Sequence, residues 1–587
     1  MCKLKNNLFL IYGFLHSLKY PKILKETVKA FFSEKILSPK EHIILAANWL
    51  LFMQNNDGGY SRKFSFITGR DKSYTETTGY IIPTLLDTGE ILQEKKYINS
   101  ALKGGDFLLS VQNKNGSFNE IDHNLQFAFD TGQCLTGLNR LYEYTKESCF
   151  LEAAEKASYW LIENQEEDGS WKQVAFNGQK HTYYIKVAAA MYKYALLSED
   201  NYIKNGALKH LEWVLDNQFQ NGYFKFSSFL SNIPAYLHTL MYIAEGLLDF
   251  YEMTKENMVL DKILLYVNNF KNINLNRDLI LGSQYNEEFK CVNKERCITG
   301  LAQWVGVALR LFKLTKDEDY INCAVKTIHY LKAKQLKHTV MKGGFSGSIP
   351  FWGKYGSFDF VNWNNKFFLD ALILYDKLNF DINKEQETFV SSAFTIYSES
   401  VTDNITFMDK KYLEKLKSIF CKYSYLKIAD VGCGKGSIIN ELKKIFPNFD
   451  FFGIDPVFEN NNIKKGSVYN IPFADEEFDV VLCFEVLQHT YINNALKEIY
   501  RVLKKDAMVI IGERNPFSIL GLLKPLFEFK GKWMYPPDSP FREKWYNKNQ
   551  WEYFLKICGF ELTNISSVEG KGKKFVNRYY FIEGKKI

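Results

Sequence analysis

The sequence predicts a multidomain chain: an all-α, (α/α)6-type ring of helical hairpins, followed by an α/β unit built on a strand, a glycine turn and a helix. Three observations carry this expectation. The chain has 587 residues, more than one ordinary core organises. A phrase consisting of an aromatic residue, Gln five positions on and then Gly-x-aromatic recurs along the first two thirds. The last third holds Asp430-Val431-Gly432-Cys433-Gly434-Lys435-Gly436 directly behind a short apolar run.

The anchor aromatics of the repeat are Trp49, Phe107, Trp160, Trp213, Tyr266 and Tyr330, spaced by 58, 53, 53, 53 and 64 residues. Gln54, Gln112, Gln165, Gln218 and Gln335 stand at the fifth position, and the copy at Tyr266 is decayed. Each copy reads as a helical segment, a glycine turn and a second helical segment. The second segments are Thr78 to Leu86, Phe129 to Tyr142, Tyr183 to Leu197, Leu237 to Phe250, Ile298 to Leu314 and Trp363 to Tyr375. Six such pairs cannot each bury an apolar face alone. Stacked around a ring they can, with a cavity at the centre. The expected boundaries are an N-terminal extension at 1–40, the ring at 41–380, a linker with leading helices at 381–420, and the α/β unit at 421–587.

Composition narrows the function classes. Net charge is +7 with only short lysine clusters, so no nucleic-acid partner is expected. The ten cysteines include no Cys-x-x-Cys pair, and Cys291 and Cys297 have the wrong spacing for a zinc knuckle. No metal site is expected, and a reducing compartment fits. Leu8 to Leu15 is apolar but too short for a signal peptide or a membrane span. The chain reads as cytoplasmic, with a peripheral membrane position left open. Aromatic residues reach 16%, which prepares for cavities walled by rings.

From Leu45 to Leu378 the repeat resembles the α/α-toroid superfamily, which includes terpene cyclases, protein prenyltransferases and six-hairpin carbohydrate enzymes. The phrases Glu76-Thr77-Thr78-Gly79-Tyr80, Phe129-Asp130-Thr131-Gly132-Gln133, Gly343-Gly344-Phe345-Ser346-Gly347-Ser348 and Asn362-Trp363-Asn364-Asn365-Lys366-Phe367 look like toroid proteins encoded among bacterial surface-polysaccharide biosynthesis genes. The resemblance implies a glycan-related role. An Asp-x-Asp-Asp acid motif and an Asp-x-Cys zinc pair are both missing, so cyclase and prenyltransferase chemistry are set aside.

Glycan chemistry uses two carboxyl groups. Glu76 and Asp130 lie at second-helix starts, which share one rim of a toroid, and they are the candidate catalytic pair. His181, His238, Arg296, Trp363 and Lys366 occupy comparable places and are the candidate substrate-binding residues, with Tyr183 beside them. The structural alternatives are a helix cap for Asp130, a helix-dipole position for Glu76 and a satisfied core histidine for His238.

In the last third, Lys427 to Val431 reads as a buried parallel strand turning through Gly432, Gly434 and Gly436 into a helix at Ser437 to Ile445. Phe451 to Asp455 is a second strand ending in an acid, and Phe478 to Phe484 reads as a central strand. Ala507 to Gly512 is a further strand. Together these resemble the Rossmann-like class I methyltransferases, particularly the group that includes ubiquinone/menaquinone and small-molecule methylases. The resemblance spans Lys427 to Gly512 and implies S-adenosylmethionine as cofactor. It places Asp430 beside the cofactor's amino-acid end, Gly432, Gly434 and Gly436 beneath it, Asp455 on the ribose and Phe484 at the strand end. The family's acidic adenine contact is missing, and Ser467 or backbone stands in that place.

His489 follows the central strand and is the candidate base, with helix capping or a contact to Glu485 as its structural alternative. A Pro- and aromatic-rich insert from Asn515 to Trp545 is expected to select the acceptor. Trp551 to Phe560 and Tyr579 to Glu583 read as the last helix and an antiparallel edge strand. The functional expectation is O-methylation of a sugar or glycan intermediate, with a glycan-binding or glycan-modifying toroid. A quinone-like or isoprenoid acceptor, and a toroid acting only as a scaffold, are the alternatives.

Overall fold

The structure is a computed structural model describing residues 2–32, 36–276, 280–378, 388, 407–490, 492–516, 545–569 and 577–587. It divides into two compact units, Met1–Phe380 and Asp381–Ile587. Residues 381–387 and 389–406 of the expected linker lie outside the described residues.

The first unit opens with α1 (Cys2–Ser17) and α2 (Pro21–Phe32). Twelve helices follow: α3 (Pro39–Phe52), α4 (Thr75–Leu92), α5 (Lys95–Val111), α6 (Ala128–Thr145), α7 (Ser148–Glu163), α8 (Ile185–Ser198), α9 (Asn201–Asp216), α10 (Leu237–Thr254), α11 (Asn257–Asn276), α12 (Ile298–Thr315), α13 (Glu318–Lys334) and α14 (Asn362–Asp376). The even-numbered helices from α4 onward form the inner wall. Each packs on the next, and α14 returns to α4. The odd-numbered helices lie outside, and α14 packs on α3, which closes the ring.

The packed hairpins are offset by one helix from the units expected from the sequence. The tight antiparallel pairs are α4 with α5, α6 with α7, α8 with α9, α10 with α11 and α12 with α13. Two-residue turns join them, and each begins at a left-handed residue: Gln93, Lys146, Glu199, Lys255 or Lys316, with φ of 55° to 62°. Long polar residues hold a position that usually goes to glycine. The turn signal is therefore missing from the sequence there, and the eye falls on the glycine turns instead.

Those glycine turns do a different job, and the repeated Gln explains it. Gln165 Nε2 donates to Gly169 O at 2.8 Å in its own turn and to Gly206 O at 3.0 Å on the next outer helix. Gln54, Gln112 and Gln218 repeat the pattern onto Gly58 and Ser100, Gly116 and Ala153, and Gly222 and Lys262. Gln335 closes the circle onto Gly343 and His42 O of α3. Gly169 has φ +86°, and a Cβ there would lie 2.6 Å from Lys209 O. Only glycine lets the turn press on the next helix. Gln165→Ala strands two carbonyls and is expected to cost about 2–3 kcal/mol, read as a lower melting temperature with unchanged helicity.

The second unit starts with α15 (Phe407–Phe420). Its strands are β1 (Lys427–Val431), β2 (Asp450–Asp455), β3 (Ile463–Lys465), β4 (Phe478–Phe484), β5 (Leu503–Arg514), β6 (Phe560–Glu569) and β7 (Asn577–Lys586). They form one sheet in the order β3-β2-β1-β4-β5-β7-β6. The first five are parallel, and β7 runs antiparallel to both neighbours. Helices α16 (Ser437–Ile445), α17 (Ile492–Val502) and α18 (Lys548–Ile557) complete the unit.

The expected edge strand proves internal: β7 lies between β5 and β6, and β6 is the edge. Tyr580 and Phe581 are buried in separate apolar clusters, so both faces of β7 are covered. The expected last helix also ends early. Gly559, at φ +89°, turns the chain after Ile557, and Phe560 begins a strand.

Candidate functional site

Two sites stand out, one in each unit. In the second unit β1 ends at Asp430 and Val431, and the chain turns through three glycines with positive φ: Gly432 at 77°, Gly434 at 54° and Gly436 at 80°. A Cβ on Gly432 would collide with Val486. The loop is pinned to β2 by Gly432 N donating to Ile454 O at 2.8 Å.

Asp455, at the end of β2, anchors the loop from the other side. One of its oxygens accepts from Gly434 N at 2.9 Å. The other accepts from Val457 N at 2.9 Å and Phe458 N at 3.1 Å. Burial raises its pKa, and these three bonds pull it back. Asp430 is buried, and burial, reinforced by Asp409 and Asp455, pushes its carboxyl up to about 7. Three acids crowd this loop. A cationic ligand would relieve their repulsion, and a ligand with a sulfonium and an ammonium group meets that requirement.

Ser467 follows β3 and is buried, and its Oγ caps its own turn by accepting from Tyr469 N at 3.2 Å. Phe484 ends β4 stacked on Tyr412 of α15, with ring centroids 4.5 Å apart. His489 sits in the short turn Leu487–His489, buried, with Nε2 3.2 Å from the Gln488 amide nitrogen. The acceptor insert cannot be placed, because residues 517–544 lie outside the described residues.

Two acids not marked as site residues in the sequence stand out: Glu485, expected only as a contact for His489, and Glu513. Glu485 holds a left-handed φ of 58° directly after β4, a costly conformation for a side-chain-bearing residue at a strand end. Glu513 is buried in β5 and accepts from Gln488 N at 3.2 Å through one oxygen, while its other oxygen has no partner among the described residues. Burial, then Glu485, raises its pKa well above the usual range. Glu513 had no signal, because one acid near the end of a strand looks like a solvated edge, and the backbone angle of Glu485 leaves no mark in the sequence.

In the first unit a cavity of about 290 Å³ opens among the inner-helix starts. Its lining includes Tyr74, Glu76, Asp130, His238 and Trp363, with Phe127, Phe129, Phe176, Tyr183, Tyr184, Phe229, Tyr242 and Tyr355 as ring walls. The Tyr74 hydroxyl donates to Asp130 and also lies within hydrogen-bond reach of Glu76. One hydroxyl can donate to only one of them, so the other carboxyl bonds it best when protonated. Burial raises the pKa of both acids; the Asp130 charge raises Glu76 further, and the Glu120 charge raises Asp130. Tyr74 was not singled out because it precedes α4 as an ordinary-looking loop aromatic.

His238 faces the same space, and its Nδ1 is 2.7 Å from Gln303 Oε1. Burial pushes its pKa down to about 4, so the ring is neutral. Trp363 Nε1 donates to Tyr355 OH at 2.8 Å.

Three expected substrate residues are not brought to the cavity. His181 is buried with its ring nitrogens 3.1 Å from Ser228 O and 3.0 Å from Phe176 O, so it staples two loops. Arg296 donates to Ile280 O at 3.0 Å. Lys366 pairs with Asp370 at 2.6 Å and lies over the Phe367 ring, one helical turn along α14. Position in a repeat gives the rim but not the direction in which a long side chain points.

Comparison with known proteins bears on the second unit most directly. Residues 429–511 match the family model described as a methyltransferase domain. A ubiquinone biosynthesis O-methyltransferase of Rickettsia bellii is 30% identical over 184 residues, covering 27% of this chain and 70% of that protein. The 25S rRNA (adenine(645)-N(1))-methyltransferase of Schizosaccharomyces pombe is 31% identical over 98 residues, covering 16% of this chain. The chain spans 30% to 54% of the length of that protein and of two uncharacterised relatives. Among solved structures, an unsaturated glucuronyl hydrolase specific for heparin aligns with 58% of this chain and 97% of its own, at 16% identity and a TM-score of 0.47. The chain belongs to the methyltransferase domain family and carries an S-adenosylmethionine-dependent methyltransferase domain behind an α/α toroid.

Proposed function

We propose that the chain methylates a hydroxyl of a sugar or glycan intermediate, of the kind built into bacterial surface polysaccharides, and that the toroid binds or modifies that glycan. The observation that carries the reading is the ring-walled cavity with its buried acid pair, present in the same chain as a methyl-donor loop. Aromatic walls and a few convergent polar groups suit a sugar ring. A volume of about 290 Å³ suits a short saccharide better than a long isoprenoid chain. Nine of the ten cysteines, Cys134 to Cys558, are free thiols, which supports a cytoplasmic setting.

S-adenosylmethionine supplies an electrophilic methyl group. The protein's part is to hold the acceptor in line and keep water out. The glycine turn would let backbone approach the cofactor, and Asp430, Asp455, Ser467 and Phe484 are the residues that would hold its amino-acid end, its ribose and its base. His489 is the proposed base for the acceptor hydroxyl. His489→Ala is expected to lower kcat by about 10²-fold with a smaller change in KM, measured by initial rates.

In the toroid, Glu76 and Asp130 flank the Tyr74 hydroxyl, and they are the proposed acid and base of any glycan chemistry there.

A second reading, methylation of a quinone-like acceptor, is favoured by the likeness to the ubiquinone biosynthesis O-methyltransferase. An assay of S-adenosylhomocysteine release with oligosaccharides, nucleotide sugars, quinols and isoprenoid lipids separates the two. Turnover on a carbohydrate is expected. Turnover on a quinol or lipid alone would overturn the sugar reading.

A further inference from the structure

Helix α1 is apolar on two opposite sides, and only one of them is covered. The covered side centres on buried Gly13 and Ser17. At its margins Phe9, still 45% exposed, packs against Phe358 with ring centroids 6.0 Å apart, and Phe14, 40% exposed, packs against Phe351, Trp352 and Phe358 at 5.3–5.6 Å. Gly13 lies flush on the Phe358 ring, with no room for a Cβ. Helix α2 fixes the other end of the pair, where Lys334 Nζ donates to Phe31 O at 2.7 Å. The helices are therefore held against the ring rather than loosely trailing.

The other side of α1 faces outward. Leu8, Ile11 and Leu15 are 59%, 58% and 60% exposed, with Tyr12 at 49%, and Leu18, in the turn directly after the helix, is 62% exposed. The spacing of Leu8, Ile11 and Leu15 by three and four residues puts them on one helical stripe, which Leu18 extends. Single exposed leucines are ordinary, but a contiguous apolar stripe on a firmly docked helix marks a contact surface.

Charge says what covers it. Residues 1–32 contain six lysines and one acid, Glu26, so the segment carries 6 − 1 = +5. Glu26 is already paired with Lys29 at 2.9 Å. Lys19 follows the stripe, and Lys22 and Lys25 lie exposed on α2. An apolar stripe beside lysines, on a helix too short to span a bilayer, is the composition of a helix that lies in an anionic lipid interface. Among the described residues no helix is long and apolar enough to cross a membrane.

We infer that α1 and α2 seat the toroid on an anionic bilayer surface, with Leu8, Ile11, Leu15 and Leu18 entering the headgroup boundary and Lys19, Lys22 and Lys25 meeting lipid phosphates. This surface does not depend on which acceptor is methylated.

Co-sedimentation of the full chain with vesicles tests it, using phosphatidylcholine alone and phosphatidylcholine mixed with phosphatidylglycerol. Binding to the mixed vesicles is expected to be at least about 10-fold tighter than to the neutral ones and to weaken as salt rises. Ile11→Asp with Leu15→Asp, and separately Lys22→Glu with Lys25→Glu, should each abolish the preference. All four positions are exposed, so both variants should keep the parent's melting temperature. A variant that unfolds leaves the other to decide. Absence of binding to the mixed vesicles would overturn the inference. So would a wild-type dimer in free solution that Ile11→Asp with Leu15→Asp converts to monomer, since a second copy would then own the stripe.

Discussion

Asp455→Ala is expected to lower affinity for S-adenosylmethionine by at least about two orders of magnitude. The carboxylate accepts three backbone N–H groups, from Gly434, Val457 and Phe458. Hydrogen bonds to a charged acceptor are worth about 1.5–3 kcal/mol each, so losing them releases the glycine loop as well as the proposed ribose contact. Asp455→Asn keeps one acceptor oxygen and should fall between. Isothermal titration of the full chain measures both. Near-normal affinity in the alanine variant would mean that the loop holds its shape without the acid and that the ribose is bound elsewhere.

The second large effect concerns the toroid and is read through pH. Glu76 and Asp130 are raised above the usual carboxyl range chiefly by burial, with Asp130 adding to Glu76 and Glu120 adding to Asp130. A raised acid binds its proton more tightly folded than unfolded. Between the unfolded value near 4 and the raised folded values, the native state holds the extra proton. The pair's stabilising contribution is therefore full below about pH 4 and is lost as pH rises through the raised values around neutrality.

Glu76→Gln with Asp130→Asn mimics the protonated pair. The double variant should lose this pH dependence and become more stable than wild type above neutrality, by an amount on the order of 2 kcal/mol. Melting curves from pH 5 to 9 measure the difference. The same substitutions should abolish any glycan chemistry in the cavity, because neither amide can exchange a proton there. Unchanged turnover would leave the toroid as a binding scaffold.

Much of this architecture was legible because glycine and aromatic residues have few substitutes. Gly58, Gly116, Gly169, Gly222 and Gly343 all adopt φ near 90° where a Cβ would strike the neighbouring helix. Their spacing therefore reports the ring directly. The true hairpin turns went unseen because Gln93, Lys146, Glu199, Lys255 and Lys316 take left-handed φ without glycine.

The candidate sites show the same divide. Asp430, Gly432, Gly434 and Asp455 converge because the backbone forces them to. His181, Arg296 and Lys366 share a rim in sequence terms, yet each is drawn off by a local partner: two carbonyls, the Ile280 carbonyl and Asp370. Spacing locates a Cα, whereas the direction of a long polar side chain depends on partners contributed from elsewhere in the chain. The Tyr74 bridge between two acids depends on contacts of that kind and could not be read in advance.

The most direct test of the central proposal follows a labelled methyl group from S-adenosylmethionine into product, using the full chain and a saccharide acceptor, with the labelled position assigned by mass spectrometry and NMR. The label is expected on a sugar oxygen, with none transferred by Asp455→Ala. A label found only on a quinol or lipid, or transfer to the saccharide that survives Asp455→Ala undiminished, would contradict it.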